Sequence, residues 1–526
     1  MVVPMNVNRF LNRTAKVYKD KVAVIDGDAR YTYGQLFERV QRLSNALRQL
    51  GVAPGDRVAW LGYNNHPLLE AYFGAVQYGA ILVPLNIRLS AEDLAVILQN
   101  AEPAVLVFDS DFEPLARALG QNHVWQPVEI QIEAKHAGYL GYEDWLAAAS
   151  ADYAGDDSLD ENSTAELFYT SGTTGRPKGV ELTHRNLYMN AMQAGMSLGM
   201  VGMSDASVLL HTIPLFHVNG WGTPHYVTAL GATHVMLRRF DPQAVLELVQ
   251  RHRVTHANLV PTMVNMLNNY PQVKRFDLSS LRQIIVGGAA SPSSFVGQTM
   301  SILGGDYNGG YGLSETSPIV SLGVIKSTLA DAADEVKNRA RGSAGIPLAG
   351  VEVALMGADG QQLPWDGQSL GELVVRGDMV MKQYWRAPEE TAEVLYDGWF
   401  HTGDLAVIDA EGYIRIADRK KDIIISGGEN ISSTELEDVL YQHPAVLECC
   451  VIGRPDPVWG EIPHGLVVVK PGEQVTAEEL VEFAGQRLAR FKAIKSVQFV
   501  PPLPKTGTGK VQKMVVRRMY GAGWAQ

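Results

Sequence analysis

The sequence has few cysteines, no long apolar run and no excess of positive charge. Its two cysteines, Cys449 and Cys450, are adjacent and make a poor structural crosslink, so no oxidising compartment is indicated and we expect a cytoplasmic protein. No run of about 18 uncharged apolar residues occurs, and no charged start followed by an apolar segment, so neither a transmembrane segment nor an export signal is expected. The formal net charge of −12 disfavours nucleic acid as a partner but allows a local basic pocket for a phosphorylated ligand.

The first 300 residues alternate strand-like apolar runs with helical patterns, which is typical of α/β proteins. One helix is predicted after a short strand near residue 32, because apolar residues recur every three or four positions and Gly51 provides a stop signal. These residues are Leu36, Val40, Leu43, Leu47 and Leu50. A chain of 526 residues is expected to form two or more domains.

The later part of the chain is richer in strands. "GVEVALMGADGQQLP" and "GELVVRG" predict short strands with glycine turns. "LAVIDAEGYIRIADR" predicts a hairpin; pairing Asp409 with Tyr413 places Asp404 opposite Asp418 and next to Arg419. The pattern then becomes α+β, with helices predicted in "SSTELEDVLYQH" and "AEELVEFAGQRLARF" and strands in "VLECCVIGR" and "GLVVVK".

These patterns predict an α/β fold with two domains. The large N-terminal domain, residues 1–420, is expected to contain layered α/β subdomains and a β-rich subdomain. The small C-terminal domain, residues 421–526, is expected to be α+β, with the junction at residues 419–422.

A glycine-rich segment, "YTSGTTGRPKGVELTHRN", follows a predicted buried strand, "AELFYT", and precedes a helix that Thr183 can cap. Glycines let backbone N–H groups approach anionic oxygens, hydroxyls add donors, and Lys178 adds a positive charge. The segment therefore predicts a phosphate site. It is not a P-loop of the GxxxxGK[ST] type, since Pro177 precedes the lysine and Gly179 follows it. The alternative is a mobile surface loop.

The same segment resembles the signature of the adenylate-forming superfamily, which contains acyl-CoA synthetases, luciferases and peptide-synthetase adenylation domains. The resemblance continues in order through "YGAILVPLN", "PLFHVNGWG", "GGAASP", "GGYGLSETSP", "SAGIPLAGVEV", "YDGWFHTGDLAVIDAEGYIRIADRKKDIIISGGENIS" and "PLPKTGTGK". It spans nearly the whole chain. It implies a mobile C-terminal domain and the use of ATP, Mg²⁺ and coenzyme A.

The resemblance also implies a nucleotide site. The residues implied to enclose the β- and γ-phosphates of ATP are Thr170, Ser171, Gly172, Thr173, Thr174, Gly175 and Lys178. Tyr311, between Gly310 and Gly312, is implied to stack on adenine, in a slot lined by Gly288, Ala289 and Ala290. Ser314 is implied to contact the α-phosphate and Glu315 to bind Mg²⁺. The family usually has threonine before this glutamate; Ser314 keeps the hydroxyl, with more rotamer freedom.

Three further residues, Asp404, Arg419 and Lys510, are implied to take part in adenylation. Asp404 resembles the carboxylate that accepts hydrogen bonds from the ribose, and Arg419 the donor beside it. The alternative is an exposed ion pair worth ~0–1 kcal/mol. Lys510 resembles the lysine that reaches the acyl carboxylate and the α-phosphate; the alternative is an exposed lysine near the end of the chain.

The thioester step is implied by another segment. "ISGGENIS" resembles the border of the pantetheine tunnel, where Gly427 and Gly428 allow close approach, and Lys421 matches the hinge position. Rotation there would exchange Lys510 for the thiol tunnel.

The acid pocket is implied to include His217, beside the carboxylate, and Trp221, as a gate to a hydrophobic channel. Val218, Val286 and Gly287 would line it. No arginine is present in the His217 segment to receive a second carboxylate, so a monocarboxylic acid is expected.

The predicted function is therefore a fatty acyl-CoA synthetase for medium or long chains. The alternatives are an aryl-acid CoA ligase of the benzoate or cinnamate type, an enzyme that loads a carrier protein, and a nucleotide-binding sensor without turnover. Only 16 residues follow Lys510, too few for a carrier domain, and Lys510 and Glu315 disfavour a sensor. The sequence leaves open whether the protein is a homodimer.

Overall fold

The computed structural model describes residues 3–121, 127–133, 138–171, 177–288, 291, 293–427, 429–505 and 511–521. It divides into two compact units. The first contains residues 1–352 and 375–400, and the second contains residues 353–374 and 401–526. The junction expected at residues 419–422 falls inside the second unit, so the domain boundary drawn from the sequence stays a prediction.

The strands, in chain order, are β1 (Val22–Asp26), β2 (Ala29–Thr32), β3 (Arg57–Leu61), β4 (Ile81–Pro84), β5 (Val105–Asp109), β6 (Val128–Ile132), β7 (Leu140–Gly141), β8 (Thr164–Ser171), β9 (Pro177–Thr183), β10 (Val208–His211), β11 (Thr233–Met236), β12 (His256–Leu259), β13 (Gln283–Gly287), β14 (Asp306–Gly312), β15 (Ile319–Leu322), β16 (Ile346–Pro347), β17 (Glu352–Met356), β18 (Gly371–Arg376), β19 (Gln383–Tyr384), β20 (Leu395–Tyr396), β21 (Trp399–Ile408), β22 (Ile414–Arg419), β23 (Ile424–Ser426), β24 (Glu429–Ile431), β25 (Val446–Asp456), β26 (Gly460–Val469) and β27 (Ser496–Phe499).

The α-helices are α1 (Asn8–Val17), α2 (Tyr33–Gln49), α3 (His66–Gly74), α4 (Ala91–Ala101), α5 (Glu113–Gln121), α6 (Tyr142–Ala147), α7 (His184–Gly199), α8 (Val218–Leu230), α9 (Pro242–His252), α10 (Pro261–Asn268), α11 (Ser293–Leu303), α12 (Asp334–Gly342), α13 (Pro388–Ala392), α14 (Ser433–Tyr441), α15 (Ala477–Gly485) and α16 (Lys513–Tyr520). None of the helices in the described part of the chain combines the length and the apolarity that a membrane crossing requires.

Helix α2 forms where the apolar spacing predicted it. Thr32 caps it, accepting a hydrogen bond from the backbone of Gln35, whose side chain accepts in return from the backbone of Thr32. The residues at three- and four-residue spacing form its buried face, from Leu36 to Leu47. Gly51 follows with φ of +83°, a conformation that suits glycine and ends the helix. This prediction is confirmed.

The first unit contains two sheets with largely parallel pairing. One has the order β16–β15–β14–β13–β12–β10–β11–β1–β2, and the other β19–β9–β8–β4–β3–β5–β6–β7. Residues of α9, α10 and α11 share a buried apolar cluster with β10 to β13, and residues of α4 and α5 share another with β3, β4 and β5. The layered α/β architecture is confirmed. Its parallel strands bring several loops to the same sheet edge.

The glycine-rich segment has one element that the sequence prediction missed. We expected a strand, a loop and a helix. In the structure, β8 pairs antiparallel with β9, and α7 begins only after β9. Thr183 caps α7 as expected, accepting from the backbone of Asn186. Pairing with β8 therefore makes "PKGVELT" a strand, while residues 172–176 between the two strands lie outside the described residues.

The second unit is rich in β-structure, as expected. Most residues of β17, β18, β21 and β22 lie in it, and β23 to β27 form a further sheet. Helices α14 and α15 share an apolar cluster with β25 and β26. The four elements predicted for this part of the chain are present, but α15 ends at Gly485, because a glycine weakens a helix and favours its end.

Candidate active site

The ends of β13 and β14 lie together in the first unit. The two strands are parallel neighbours, with Gly287 opposite Gly310, so Gly288, Tyr311 and Gly312 follow at the same edge. A Cβ on Gly312 would lie 1.9 Å from the carbonyl oxygen of Pro318, and only glycine fits this close approach. The structure thus brings together these residues of the implied adenine slot.

Ser314 and Glu315 lie in a single 3₁₀ turn directly after β14. Ser314 is buried. The backbone of Glu315 accepts a hydrogen bond from the N–H of Met381, 2.7 Å away. Its side-chain Oε1 accepts from the hydroxyl of Tyr384 at 2.8 Å. The segment around Met381 therefore fixes both the backbone and the carboxylate of Glu315.

Lys178 lies near the same tyrosine. It is on β9, opposite Thr170 of β8, and its Nζ lies 5.1 Å from the centre of the Tyr384 ring, within the range of a cation–π interaction. Burial, and then the neighbouring Glu315, raises the pKa of Tyr384, so its hydroxyl remains a hydrogen-bond donor. One uncharged side chain thus holds a carboxylate and a cation.

Tyr384 is a candidate site residue that sequence reasoning missed. It lies in "MKQYWRAPEE", outside the motifs that carry the resemblance. An isolated tyrosine in a segment with no chemical pattern gives no local signal, because its two contacts depend on pairing between β19 and β9.

The implied acid-pocket residues come together at the start of α8. Residues Val218 to Gly222 form a left-handed turn before the helix proper. The Trp221 ring lies on the end of β13, where a Cβ on Gly287 would be 2.9 Å from Cη2 of the indole. Val218 and Val286 are buried, and Trp221 packs against the apolar cluster that includes Val286. His217 is the residue before the turn, and its carbonyl accepts from the N–H of Gly220.

Asp404 and Arg419 form an ion pair in the second unit. Arg419 Nε lies 2.9 Å from Asp404 Oδ1, and the aspartate side chain is 5% exposed. The predicted hairpin is present, with Asp409 bonded to Tyr413, but Arg419 rather than Asp418 lies opposite Asp404. A register shift between Leu405 and Ala406 explains the difference, since a bulge inserts one extra residue on one strand. The exposed-pair alternative is wrong for the carboxylate, which is buried.

Lys421 lies between two anchored aspartates of the second unit. Asp418 Oδ2 accepts from the backbone N–H of Ser433 at 2.6 Å, and Asp422 Oδ1 lies 2.6 Å from Arg517 Nη1. Lys421 is exposed. Gly427 has φ of +60°, and a Cβ there would be 2.7 Å from the Trp459 ring. A tryptophan of the same unit therefore lies close to Gly427, and the role of Gly427 in binding coenzyme A stays a prediction.

Several predicted site residues lie outside the described residues. They are Gly172, Thr173, Thr174, Gly175, Ala289, Ala290, Gly428 and Lys510, and for Ser171 only the backbone is described. Among the described residues, no group of three or more His, Cys, Asp or Glu side chains could hold a metal ion.

Two family models match the chain. One is described as AMP-binding enzyme and matches residues 11–385; the other is described as AMP-binding enzyme C-terminal domain and matches residues 435–510.

Similar proteins match along nearly their whole length. A feruloyl-CoA synthase from Amycolatopsis sp is 40% identical over 97% of this chain and 98% of that protein. A long-chain-fatty-acid–CoA ligase from Thermus thermophilus is 38% identical over 98% of this chain and 96% of that protein. Among solved structures, an anthranilate CoA ligase in complex with anthranoyl-AMP has a TM-score of 0.89 and 27% identity, covering 99% of this chain and 98% of that one.

Proposed function

The chain belongs to the AMP-binding enzyme family, as an AMP-forming acid–thiol ligase of the adenylate-forming superfamily, and we propose that its acid is a medium- or long-chain fatty acid. The observation that carries this proposal is the position of Trp221, whose ring covers Gly287 beside buried valines. An apolar surface of this kind suits a hydrocarbon tail. The fatty-acid ligase at 38% identity supports the same choice.

The contacts of Tyr384 support the proposed ATP site. Lys178 belongs to the glycine-rich segment, and both Lys178 and Glu315 contact Tyr384. Mg²⁺ usually binds one or two carboxylates plus substrate phosphates and keeps several waters. A single glutamate close to a phosphate-binding lysine fits that preference. When bound, Mg²⁺ would supply neutralisation of phosphate charge.

The proposed reaction has two steps. A carboxylate oxygen of the acid attacks the α-phosphorus of ATP, and pyrophosphate leaves. The thiol of coenzyme A then attacks the acyl carbonyl, and AMP leaves. Ser314 would contact the α-phosphate, and Asp404, held by Arg419, would accept hydrogen bonds from the ribose. The protein contributes alignment and charge neutralisation, without a nucleophilic side chain.

An aryl acid is the second candidate, because a feruloyl-CoA synthase is 40% identical to the chain. Both acids carry one carboxylate on an apolar body, so the catalytic residues do not distinguish them. The depth of the proposed acid pocket would distinguish them.

A substrate panel tests both candidates. Pyrophosphate release and thioester formation would be measured with saturated acids of increasing length and with benzoate- and cinnamate-type acids, with and without coenzyme A. A fatty acid with the highest kcat/KM supports the proposal. Preference for an aryl acid would replace it with the second candidate, and AMP formation that never yields a thioester would overturn both.

Lys510→Ala tests the role carried over from the family. Removal of a preorganised cation should slow adenylation by about 10²-fold or more, while thioester formation from supplied acyl adenylate should remain comparatively intact. Lys495→Ala, at an exposed lysine, is the control. Equal loss of both steps would contradict a role confined to adenylation.

A further inference from the structure

The turn that carries Trp221 has an unusual backbone. Val218, Asn219, Gly220, Trp221 and Gly222 have φ values of +44°, +41°, +58°, +68° and +78°. Consecutive left-handed residues are unfavourable for L-amino acids other than glycine. Such a conformation persists only where the surroundings fix it, and it often lies at a functional site.

Asn219 fixes the turn from inside. Its side chain is fully buried. Oδ1 accepts from the N–H of Gly222 at 2.6 Å, which closes the turn. Nδ2 donates to Oε2 of Glu166 at 2.8 Å, which ties the turn to another element. Asparagine is among the residues that tolerate a left-handed backbone best, so both its backbone and its side chain suit this position.

Glu166 contacts both the turn and the helix that follows it. It lies fully buried on β8, five positions before Ser171 at the end of that strand. Its second oxygen, Oε1, lies 2.7 Å from Nε2 of His225, and His225 is in the helical part of α8 that follows the turn. A buried carboxyl group is costly unless it is hydrogen-bonded, and here both oxygens have partners. One side chain thus connects β8 to the turn, through Asn219, and to the helix that follows it, through His225.

We propose that Glu166, Asn219 and His225 are positioning residues that set the left-handed turn, and with it the placement of Trp221 and His217 for the acid substrate. The proposal rests on the proposed function, because it assumes that these two residues face the acid. The three side chains need not touch the substrate. They act through the backbone of residues 218–222, whose displacement would move the indole on Gly287.

A double-mutant cycle tests the network. Asn219→Asp keeps the acceptor for Gly222 and the tolerance for positive φ, but it faces Glu166 with a second carboxylate. Glu166→Gln alone should have a mild effect on KM for the acid. Its amide oxygen can still accept from Asn219, and its amide nitrogen can donate to Nε2 of His225 once the imidazole proton moves to Nδ1. In the wild-type structure Nδ1 has no hydrogen-bond partner among the described residues. In the double variant the Gln amide can donate to the new carboxylate, which restores a hydrogen bond.

The kinetic readout is KM for the acid against KM for ATP. Asn219→Asp should raise KM for the acid about tenfold and change KM for ATP less than about twofold. The double variant should recover most of this loss. Asn219→Gly, which keeps the backbone freedom and removes the carboxamide, should resemble Asn219→Asp. If Asn219→Asp and Asn219→Gly leave KM for the acid unchanged, or if both KM values rise together, the proposal is wrong.

A substrate-free measurement separates this proposal from the proposed function. Amide hydrogen exchange of the peptide covering residues 217–223 should accelerate in Asn219→Gly and in Asn219→Asp, and it should return towards wild type when Glu166→Gln is added to Asn219→Asp. The control is Asn268→Ala, which removes another buried carboxamide, hydrogen-bonded to Thr299, on a different helix. It should lower stability without changing exchange in that peptide. Wild-type protein inactive on every acid would refute the function, whereas unchanged exchange in Asn219→Gly would refute the network itself.

Discussion

The two compact units contain polar clusters of different kinds. One cluster of the first unit is built from imidazoles: His211 Nε2 and His234 Nδ1 lie 2.9 Å apart, and their other ring nitrogens face the hydroxyls of Thr223 and Thr228. One cluster of the second unit is built from largely buried charges: Lys513 Nζ lies 2.9 Å from Glu437 Oε1 and donates to Ser433, which donates in turn to Asp418. Neutral groups cost less to bury, whereas charges need complete pairing. The units should therefore respond differently to substitution and to pH.

The ion pairs of the second unit provide the largest expected effect on stability. Against the effect of burial, Glu437 and Asp418 raise the pKa of Lys513, so it is charged at neutral pH. Lys513→Met leaves the buried carboxyl groups without their cation and should destabilise the second unit by about 3–5 kcal/mol. The measurement is urea denaturation of the full chain, followed by hydrogen exchange in peptides of each unit.

A compensating change provides the control for that prediction. Glu437→Gln combined with Lys513→Met removes both charges and should recover part of the loss. Equal destabilisation of peptides from the two units by Lys513→Met would contradict this prediction, because the ion pair is internal to the second unit.

Acidification should affect the first unit next most strongly. Burial lowers the pKa of His211 to about 3, and burial followed by the neighbouring His225 lowers that of His184 to about 3. Below pH 6.5 the unfolded chain therefore binds protons that the folded unit does not. Stability is complete above pH 6.5 and falls as the pH drops towards 3, by about 2 kcal/mol per histidine at pH 5.

The pH dependence of exchange in first-unit peptides measures this effect. His211→Gln should reduce the slope by about one proton. His443→Gln, in the second unit, should leave that slope unchanged. A slope that His211→Gln leaves unchanged would contradict the assignment of this histidine as buried and neutral.

How much of the fold and of the candidate site could be predicted from the sequence depends on how far apart the interacting residues lie along the chain. Apolar spacing predicted α2, and hairpin geometry brought Asp404 to Arg419, because those patterns are local. The bulge at Leu405 moved the register by one residue, which no local pattern indicated. Tyr384 and Glu166 were missed, since each acts on residues more than 50 positions away. A buried glutamate within an apolar strand was a signal in retrospect, because such a residue needs a partner.

In the first unit, the neutral side chain of Tyr384 contacts two charged candidate site residues, Lys178 and Glu315. Tyr384→Phe keeps the ring over Lys178 and removes the hydrogen bond to Glu315, so affinity for Mg²⁺–ATP should fall about tenfold, the effect of one hydrogen bond to a charged group. Calorimetric titration with Mg²⁺–ATP, and with ATP and a chelator, measures this. Affinity for metal-free ATP should change little. An equal loss in both titrations would place the effect of the hydroxyl elsewhere than at Glu315.

Asp438 gives the second unit a pH response opposite in sign to that of the first, and the smallest expected effect. Burial, and then the neighbouring Glu437 and Glu435, raises its pKa to about 7. Between the unfolded value near 4 and pH 7, the folded state binds the extra proton, so stability falls as pH rises through that window.

Asp438→Asn should remove this slope and stabilise the second unit at pH 8 by about 1–2 kcal/mol. This is less than the whole pKa shift would give, because the side chain is partly exposed. Glu482→Gln, at an exposed position of α15, should do neither. If Asp438→Asn stabilises the unit equally at pH 4 and pH 8, charge is not the cause.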